Sequence, residues 1–407
     1  MAMTGKKVGT GKMGKMGGWG SPSDFFWKDR IQIDLKEYRS SSVSAKSGQA
    51  VLKTYPGTPD FPPSFKFSFF RLAVGIAKTV LTRDPEDDDL IKQVRSSLYQ
   101  LDSTIASDTS DLRLVSRFRK KYRDFSKDSR MGELAQAVSF IFAQEVLGHP
   151  IVMDFHGFLD CQGIAEMSAR DAAPDFALLL KDGVRIPWLL ESKGSSPNSK
   201  SFAVKSKLKE ALDQCDSGDN HLFANTQPVP YCSARSFGTK LMASEETDAW
   251  PSFLAFCDPE NGGEQGMPSA IRAANRYYAA WFVVAGHRGL ASRVNRGRLT
   301  LLEFMNHHEE MIVGDTVYLA YRSSSKGFDL FTPLRANKKG VLPRRTPRLW
   351  LIRKDIVLAL IEQDEDKLVA LFEEMASQPN QALDQGFMHF RDGTLCEISD
   401  AHDEARG

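Results

Sequence analysis

Pro174-Asp175-Phe176-Ala177-Leu178-Leu179-Leu180-Lys181-Asp182-Gly183-Val184-Arg185-Ile186-Pro187-Trp188-Leu189-Leu190-Glu191-Ser192-Lys193 is two short apolar runs joined by an Asp-Gly turn. Strands this apolar are normally buried, and a charge set into one is costly unless it is paired or holds a metal. Asp175, Glu191 and Lys193 therefore need a reason, and metal-assisted phosphodiester cleavage supplies one. Asp and Glu are hard oxygen ligands suited to Mg²⁺, which keeps waters and takes one or two protein carboxylates along with substrate phosphate. Such an ion polarises the scissile phosphate and generates hydroxide at neutral pH. Glu191 and Lys193 are two apart, so a strand projects them from one face, and the ammonium group sits beside metal and water.

Asp175 must come from the neighbouring strand, which makes register decisive. A strict two-residue turn at Asp182-Gly183 pairs Lys181 with Val184 and Asp175 with Leu190, sending Glu191 to the other face. Opposing Asp175 to Glu191 requires a three-residue loop or one extra residue in the second strand. Pro187, with no N–H to donate, is a natural place for a bulge. The sequence thus predicts an irregularity at the turn or near Pro187.

Pro174-Asp175 followed by Glu191-Ser192-Lys193, with fifteen residues between the two carboxylates, resembles the PD-(D/E)XK nuclease superfamily. The resemblance covers about 125 of the 407 residues. It implies an α/β fold with a restriction-endonuclease-like core: helix, three strands, helix, strand, with a mixed central sheet flanked by helices. The chain offers that order. A helix reads from Arg130 to Leu147, stopped by Gly148 and Pro150. Strand-like runs follow at Ile151–Phe158, Pro174–Leu180 and Arg185–Lys193, then a helix over Phe202–Cys215 and a strand at Ser252–Cys257. The family often carries an acid on its first helix, and Glu133 matches. Glu145, near the far end of that helix, matches less well. A second-helix Gln or Lys near the site has counterparts in Gln214 and Lys205. The expected machinery is Asp175 and Glu191 on Mg²⁺ (Mn²⁺ as a substitute), the Ser192 carbonyl completing the shell, Lys193 assisting the water and Glu133 in support.

Other chemistries find less footing. An acidic-x-Lys string alone is ordinary at a solvated strand end, and Glu133 also reads as a first-turn acid favoured by the helix dipole. Gly9 to Met16 has nucleotide-loop spacing, but Met16 stands where a hydroxyl residue would bind Mg²⁺ and no apolar strand precedes it. The eight histidines show no ligand spacing; His307-His308 cannot share one helix face, and His156 falls in a predicted strand. There is no Gly-x-Ser-x-Gly elbow. Five scattered cysteines without Cys-x-x-Cys argue against structural zinc and suit reduced thiols in the cytoplasm.

Composition is that of an ordinary globular protein, 42% hydrophobic and 26% charged, without an apolar run of membrane-spanning length or a secretory signal. Net charge is only +1, but its distribution is uneven. Arg113, Arg117 and Lys121 recur at helical spacing and predict a basic ridge. Further basic clusters lie at His287–Arg298 and Arg335–Arg353, while acid concentrates at Asp84–Asp89 and Glu397–Glu404. Segregated charge of this kind suits phosphate-backbone contact. The expected organisation is a disordered basic tail (1–23), a mixed N-terminal region (24–129), the nuclease-like core (130–260) and a C-terminal α+β region (261–407). In the N-terminal region Ser40–Gln49 reads as a polar loop, and helices are predicted at Asp87–Leu101 and Asp111–Phe125. The C-terminal region reads as a helix at Ser269–Val284, strands at Leu299–Phe304 and Thr316–Tyr321, a run at Leu349–Leu358 and a helix at Asp364–Met375, after a break at Gly262–Gly266.

The reading that follows is a Mg²⁺-dependent endonuclease acting on DNA rather than RNA, without a membrane partner, of a kind that suits restriction, mobile-element or anti-phage defence. Double-strand cleavage would call for a homodimer, and an accessory protein would serve as activator. The alternatives are a non-cleaving nucleic-acid-binding protein on the same fold, an RNA-directed nuclease and, more remotely, a phosphotransfer protein using the glycine-lysine tail.

Overall fold

The computed structural model describes residues 26–55, 61–107, 109–168, 171–181, 187–196, 203–225, 233–241, 251–259, 269–322, 330–331, 349–377, 383–384 and 386–397. The predicted tail, the Gly9–Met16 loop, the Asp182-Gly183 turn, the Gly262–Gly266 break and most of the Arg335–Arg353 and Glu397–Glu404 clusters lie outside them.

Alternating apolar runs build a mixed sheet: β1 (Ile31–Glu37), β2 (Ser64–Phe67), β3 (Ile151–Asp154), β4 (Phe176–Leu179), β5 (Trp188–Ser195), β6 (Ser233–Lys240) and β7 (Phe253–Cys257), in the order β2-β1-β7-β6-β5-β4-β3. β3, β4 and β5 form an antiparallel meander. β5 and β6 run parallel, which requires a crossover, and a helix supplies it. The helices are α1 (Ser40–Ser44), α2 (Phe69–Leu81), α3 (Asp88–Leu101), α4 (Phe118–Lys121), α5 (Asp124–Glu145), α6 (Phe155–Gln162), the crossover α7 (Val204–Asn225), α8 (Ala270–Val284), α9 (Arg288–Asn295), α10 (Leu301–Met305), α11 (Lys354–Glu362) and α12 (Glu365–Ser377). A second, antiparallel sheet holds β8 (Glu309–Val313), β9 (Thr316–Arg322), β10 (Leu349–Arg353), β11 (Leu383–Asp384), β12 (Phe387–His389) and β13 (Thr394–Glu397). The chain is therefore mixed α/β, with a mixed sheet flanked by helices. No helix among the described residues is long and apolar enough to cross a membrane.

Several sequence expectations need correcting. The Ser40–Gln49 loop contains the short α1. Asp111–Phe125 is not one helix: Arg117 takes a left-handed φ of 58° and breaks the run, and Arg113 is buried ahead of it. The basic ridge of Arg113, Arg117 and Lys121 does not exist. The helix expected from Arg130 starts at Asp124. The Ile151–Phe158 run stops at Asp154, whose carboxylate accepts the Gly157 N–H and starts α6, so His156 lies on a helix. Leu299–Phe304 is not a strand, because Thr300 and Glu303 form a reciprocal capping box that begins α10. Leu349–Leu358 divides into β10 and the start of α11, and α7 runs ten residues beyond the predicted Cys215.

The sheet also crosses the boundary drawn at 129/130, since β1 pairs parallel with β7. On the C-terminal side α8 is buried along almost its whole length. Its Trp281 ring packs edge-on against Trp350 of β10 and Phe390. Lys78 of α2 is there too, 2.6 Å from Asp392 in the turn between β12 and β13 and 2.7 Å from Tyr277 Oη.

Candidate active site

β4 and β5 pair with Phe176 opposite Leu190, Ala177 opposite Leu189 and Leu178 opposite Trp188. Continued by one step, this register sets Asp175 against Glu191, one residue away from what a strict two-residue turn gives. The described part of the connection carries an irregularity at Leu180, which takes a left-handed φ of 62°. A bulky residue there is strained by about 1 kcal/mol or more.

Alternation along β5 assigns its two faces to two helices. Ser192 Oγ lies 2.9 Å from Ser139 Oγ of α5. A Cβ on Gly194 would run into the Met131 carbonyl and lie 2.9 Å from Ala135 Cβ, so only glycine admits α5 this close. On the other face Lys193 Nζ lies 3.5 Å from Glu210 Oε1 of α7. A Cβ on Gly218 would be 3.2 Å from Leu189 Cδ1. Gln214 sits between Glu210 and Gly218. Four helical residues rise about 6 Å and two strand residues about 6.6 Å, which sets Gln214 level with Glu191.

Asp175 lies just ahead of β4, where the β5 backbone has lost its ladder partner. Its Oδ2 accepts the Ser192 N–H (2.9 Å) and its Oδ1 accepts from Gln136 Nε2 (2.9 Å). A strand residue turns its N–H and C=O to the same edge, so the Ser192 carbonyl shares the Asp175 side. Glu191 is buried, with Lys193 Nζ 2.6 Å from its Oε1. Its Oε2 and Gln214 Oε1 are buried and accept no hydrogen bond among the described residues.

The electrostatics follow from this crowding. Burial, then the charge of Asp175, pushes Glu191 well above the usual carboxylate range against the pull of Lys193. Burial also raises Asp175, opposed by the Ser192 N–H, Gln136 and Lys193. For Lys193 burial works downward, but the hydrogen bond to Glu191 and the attraction of Glu191 and Glu210 carry it above its ordinary value. A buried and a half-buried carboxylate share one ammonium group, and an oxygen of the buried one accepts no hydrogen bond among the described residues. The group is therefore electrostatically short of positive charge.

A hard divalent cation fits this donor set: Glu191 Oε2, an Asp175 oxygen and the Ser192 carbonyl, with water in the remaining positions. Among the described residues no three His, Cys, Asp or Glu side chains are arranged to hold a metal, so carbonyl and water ligands would have to complete the shell.

The other predicted site residue stands apart. Glu133 is raised by burial, and its partners are Ser97, Arg130 and Ser129; the side chain of α5 that reaches Asp175 is Gln136. Glu145 is taken by Arg71 at 2.7 Å. Lys205 donates to the carbonyls of Ser47 and Gly48, away from the carboxylates. Sequence reasoning missed Gln136, Ser139 and Glu210. From Leu134 to Ala143 α5 is buried on nearly every side, so periodicity carries no signal for which polar residue faces the sheet. The histidines also gather more than their spacing suggested. His287, His307 and His308 meet around Tyr321, with ring centroids 4.6 Å (His287–His307) and 6.1 Å (His287–His308) apart. Burial pulls His287 and His308 down to about 4.

No protein-family model, curated protein or solved structure matches the chain.

Proposed function

We propose that this chain is a Mg²⁺-dependent endonuclease that hydrolyses phosphodiester bonds of DNA on a restriction-endonuclease-like core. The observation that carries the reading is the offset register of β4 and β5, which opposes Asp175 to Glu191 and keeps Lys193 on the Glu191 face. The succession α5, β3, β4, β5, α7, β6 supports the core assignment, with α6 as an addition between β3 and β4.

When bound, the cation would polarise the scissile phosphate and lower the pKa of water. The chain's own residues do the rest. Gln136 and the Ser192 N–H hold the Asp175 carboxylate in one orientation. Glu210 holds Lys193 from behind, so its ammonium group reaches the attacking water and the developing charge on the phosphate. Gln214 Oε1, which accepts no hydrogen bond among the described residues, can accept one from a water and so help orient it. α5 and α7 close over opposite faces of β5 and limit bulk water.

Incubation of the purified full chain with supercoiled plasmid and Mg²⁺ or Mn²⁺ tests the reading. Nicking or linearisation is expected, with EDTA abolishing it and Lys193→Ala slowing it about 10²–10⁴-fold. Cleavage indifferent to Lys193→Ala would remove the proposed site. Salt-sensitive retention of DNA without cleavage in either metal would leave a binding protein.

A further inference from the structure

Tertiary structure changes the account of the basic clusters. In the described part of His287–Arg298, Arg288 pairs with Asp88, Arg293 with Glu303 and Arg296 with Glu86 at 2.9 Å. Two of these pairs join the basic cluster to the acidic Asp84–Asp89 segment, so the two runs meet. Arg353 is likewise buried between Asp355 and Glu374.

A third basic run surrounds α4. Arg117-Phe118-Arg119-Lys120-Lys121-Tyr122-Arg123 contains five cations and no acid in seven residues. Phe118 is fully buried and packs against Tyr122 with ring centroids 5.0 Å apart, and Arg130 lies over the Tyr122 ring at 4.2 Å. With the aromatic residues held inward, Arg117, Lys120, Lys121 and Arg123 are left exposed at the surface. Arg119 ties the turn to the site: its Nε donates to Ser196 O and lies equally 3.1 Å from Ser196 Oγ, just past the end of β5. From Lys193 to Ser196 is about 10 Å of extended chain. That is about three base-pair steps of a duplex at 3.4 Å each.

We propose that the Arg117–Arg123 turn is the surface on which a DNA duplex lays its phosphate backbone, some three base pairs from the phosphate held at Lys193. This rests on the nuclease reading for the position of the scissile phosphate. The contact is to backbone charge, so it supplies affinity without reading sequence.

The test uses the full chain carrying Lys193→Ala, so that the duplex survives, and a short fluorescent DNA duplex in EDTA across a salt series. Adding Lys120→Glu and Lys121→Glu is expected to weaken binding at least about tenfold and to lower the slope of log affinity against log salt by about 2. Lys120→Arg with Lys121→Arg should bind as the parent does. A charge-matched pair on other surfaces, Lys92→Glu with Lys367→Glu, should lose much less. The proposal is overturned if the parent fails to bind duplex, if the Glu pair at 120 and 121 binds as the parent does, or if the charge-matched pair loses as much. Plasmid cleavage is scored separately with Lys193 restored. Cleavage with an unaffected slope sinks the surface and leaves the nuclease, whereas a reduced slope without any cleavage sinks the nuclease, and with it the spacing from Lys193, and leaves the duplex-binding surface.

Discussion

At Glu191 two demands meet on one side chain: it is buried beneath α7, and it neighbours a second carboxylate. Because its folded value lies above the ordinary carboxylate range, the folded chain binds more protons than the unfolded chain between those two values. Stability therefore falls as pH rises through that interval. Glu191→Gln removes the charge and should raise Tm at pH 8 in EDTA by about 2–4 °C, as roughly 1 kcal/mol does in a sizeable domain. At pH 4, where the parent's Glu191 is already protonated, the two proteins should melt together. Saturating Mg²⁺ should then raise the parent's Tm at pH 8 and leave the variant nearly unmoved, since ligand binding to the folded state is the source of the gain. A variant that melts lower than the parent at pH 8 would mean that Lys193 already compensates the buried charge and no cation is wanted.

The strand β5 works as an element because glycine interrupts its side-chain rows where helices press closest. Gly194 faces Met131 and Ala135, and Gly218 of α7 faces the Pro174 ring with only 2.7 Å to spare for a Cβ. Neither neighbour is a flexible side-chain tip, so backbone has to move if a methyl is added. Gly194→Ala should cost about 1–3 kcal/mol in urea unfolding. It should also displace α5 with Gln136 and Ser139, reducing the proposed cleavage further than stability alone accounts for. Gly194→Ala with unchanged urea midpoint and unchanged cleavage would show that α5 does not position Asp175. The apolar hairpin was legible in sequence, as was the need for an extra residue. The helix face was not, because α5 is surrounded by protein and its apolar residues run around most of its circumference.

Across the whole molecule, the two sheets are joined by a buried polar cluster. Lys78 is pulled down by burial, while Asp392, despite its own burial, is held below the usual range by Lys78, Thr394 and Tyr277. Asp392→Ala would leave the Lys78 ammonium buried without its counter-ion and should cost about 3–5 kcal/mol by urea denaturation. Lys78→Met together with Asp392→Ala should recover part of that loss, which a mere packing defect would not allow. The regional divisions drawn on sequence at 129/130 and 260/261 missed this coupling, because Lys78 and Asp392 are 314 residues apart and nothing local to either foretells the other. The same blindness applied to charge: two acidic and basic runs that look like separate patches in sequence turn out to face each other.

Local chemistry was enough to determine the elements whose residues agree with one another. The apolar hairpin and the capped helices α3, α8 and α12 follow from period and capping chemistry, and the one-residue register offset, against the plain turn chemistry of Asp182-Gly183, was the demand of the proposed carboxylate pair. Tertiary structure alone decided which residues surround those charges. It brought Gln136 rather than Glu133 to Asp175, set Glu210 beside Lys193, and paired part of one basic run with an acidic one. These are contacts between elements, governed by crossover direction and by the glycines that let helices approach. Because they join positions far apart in the chain, no window of sequence contains them.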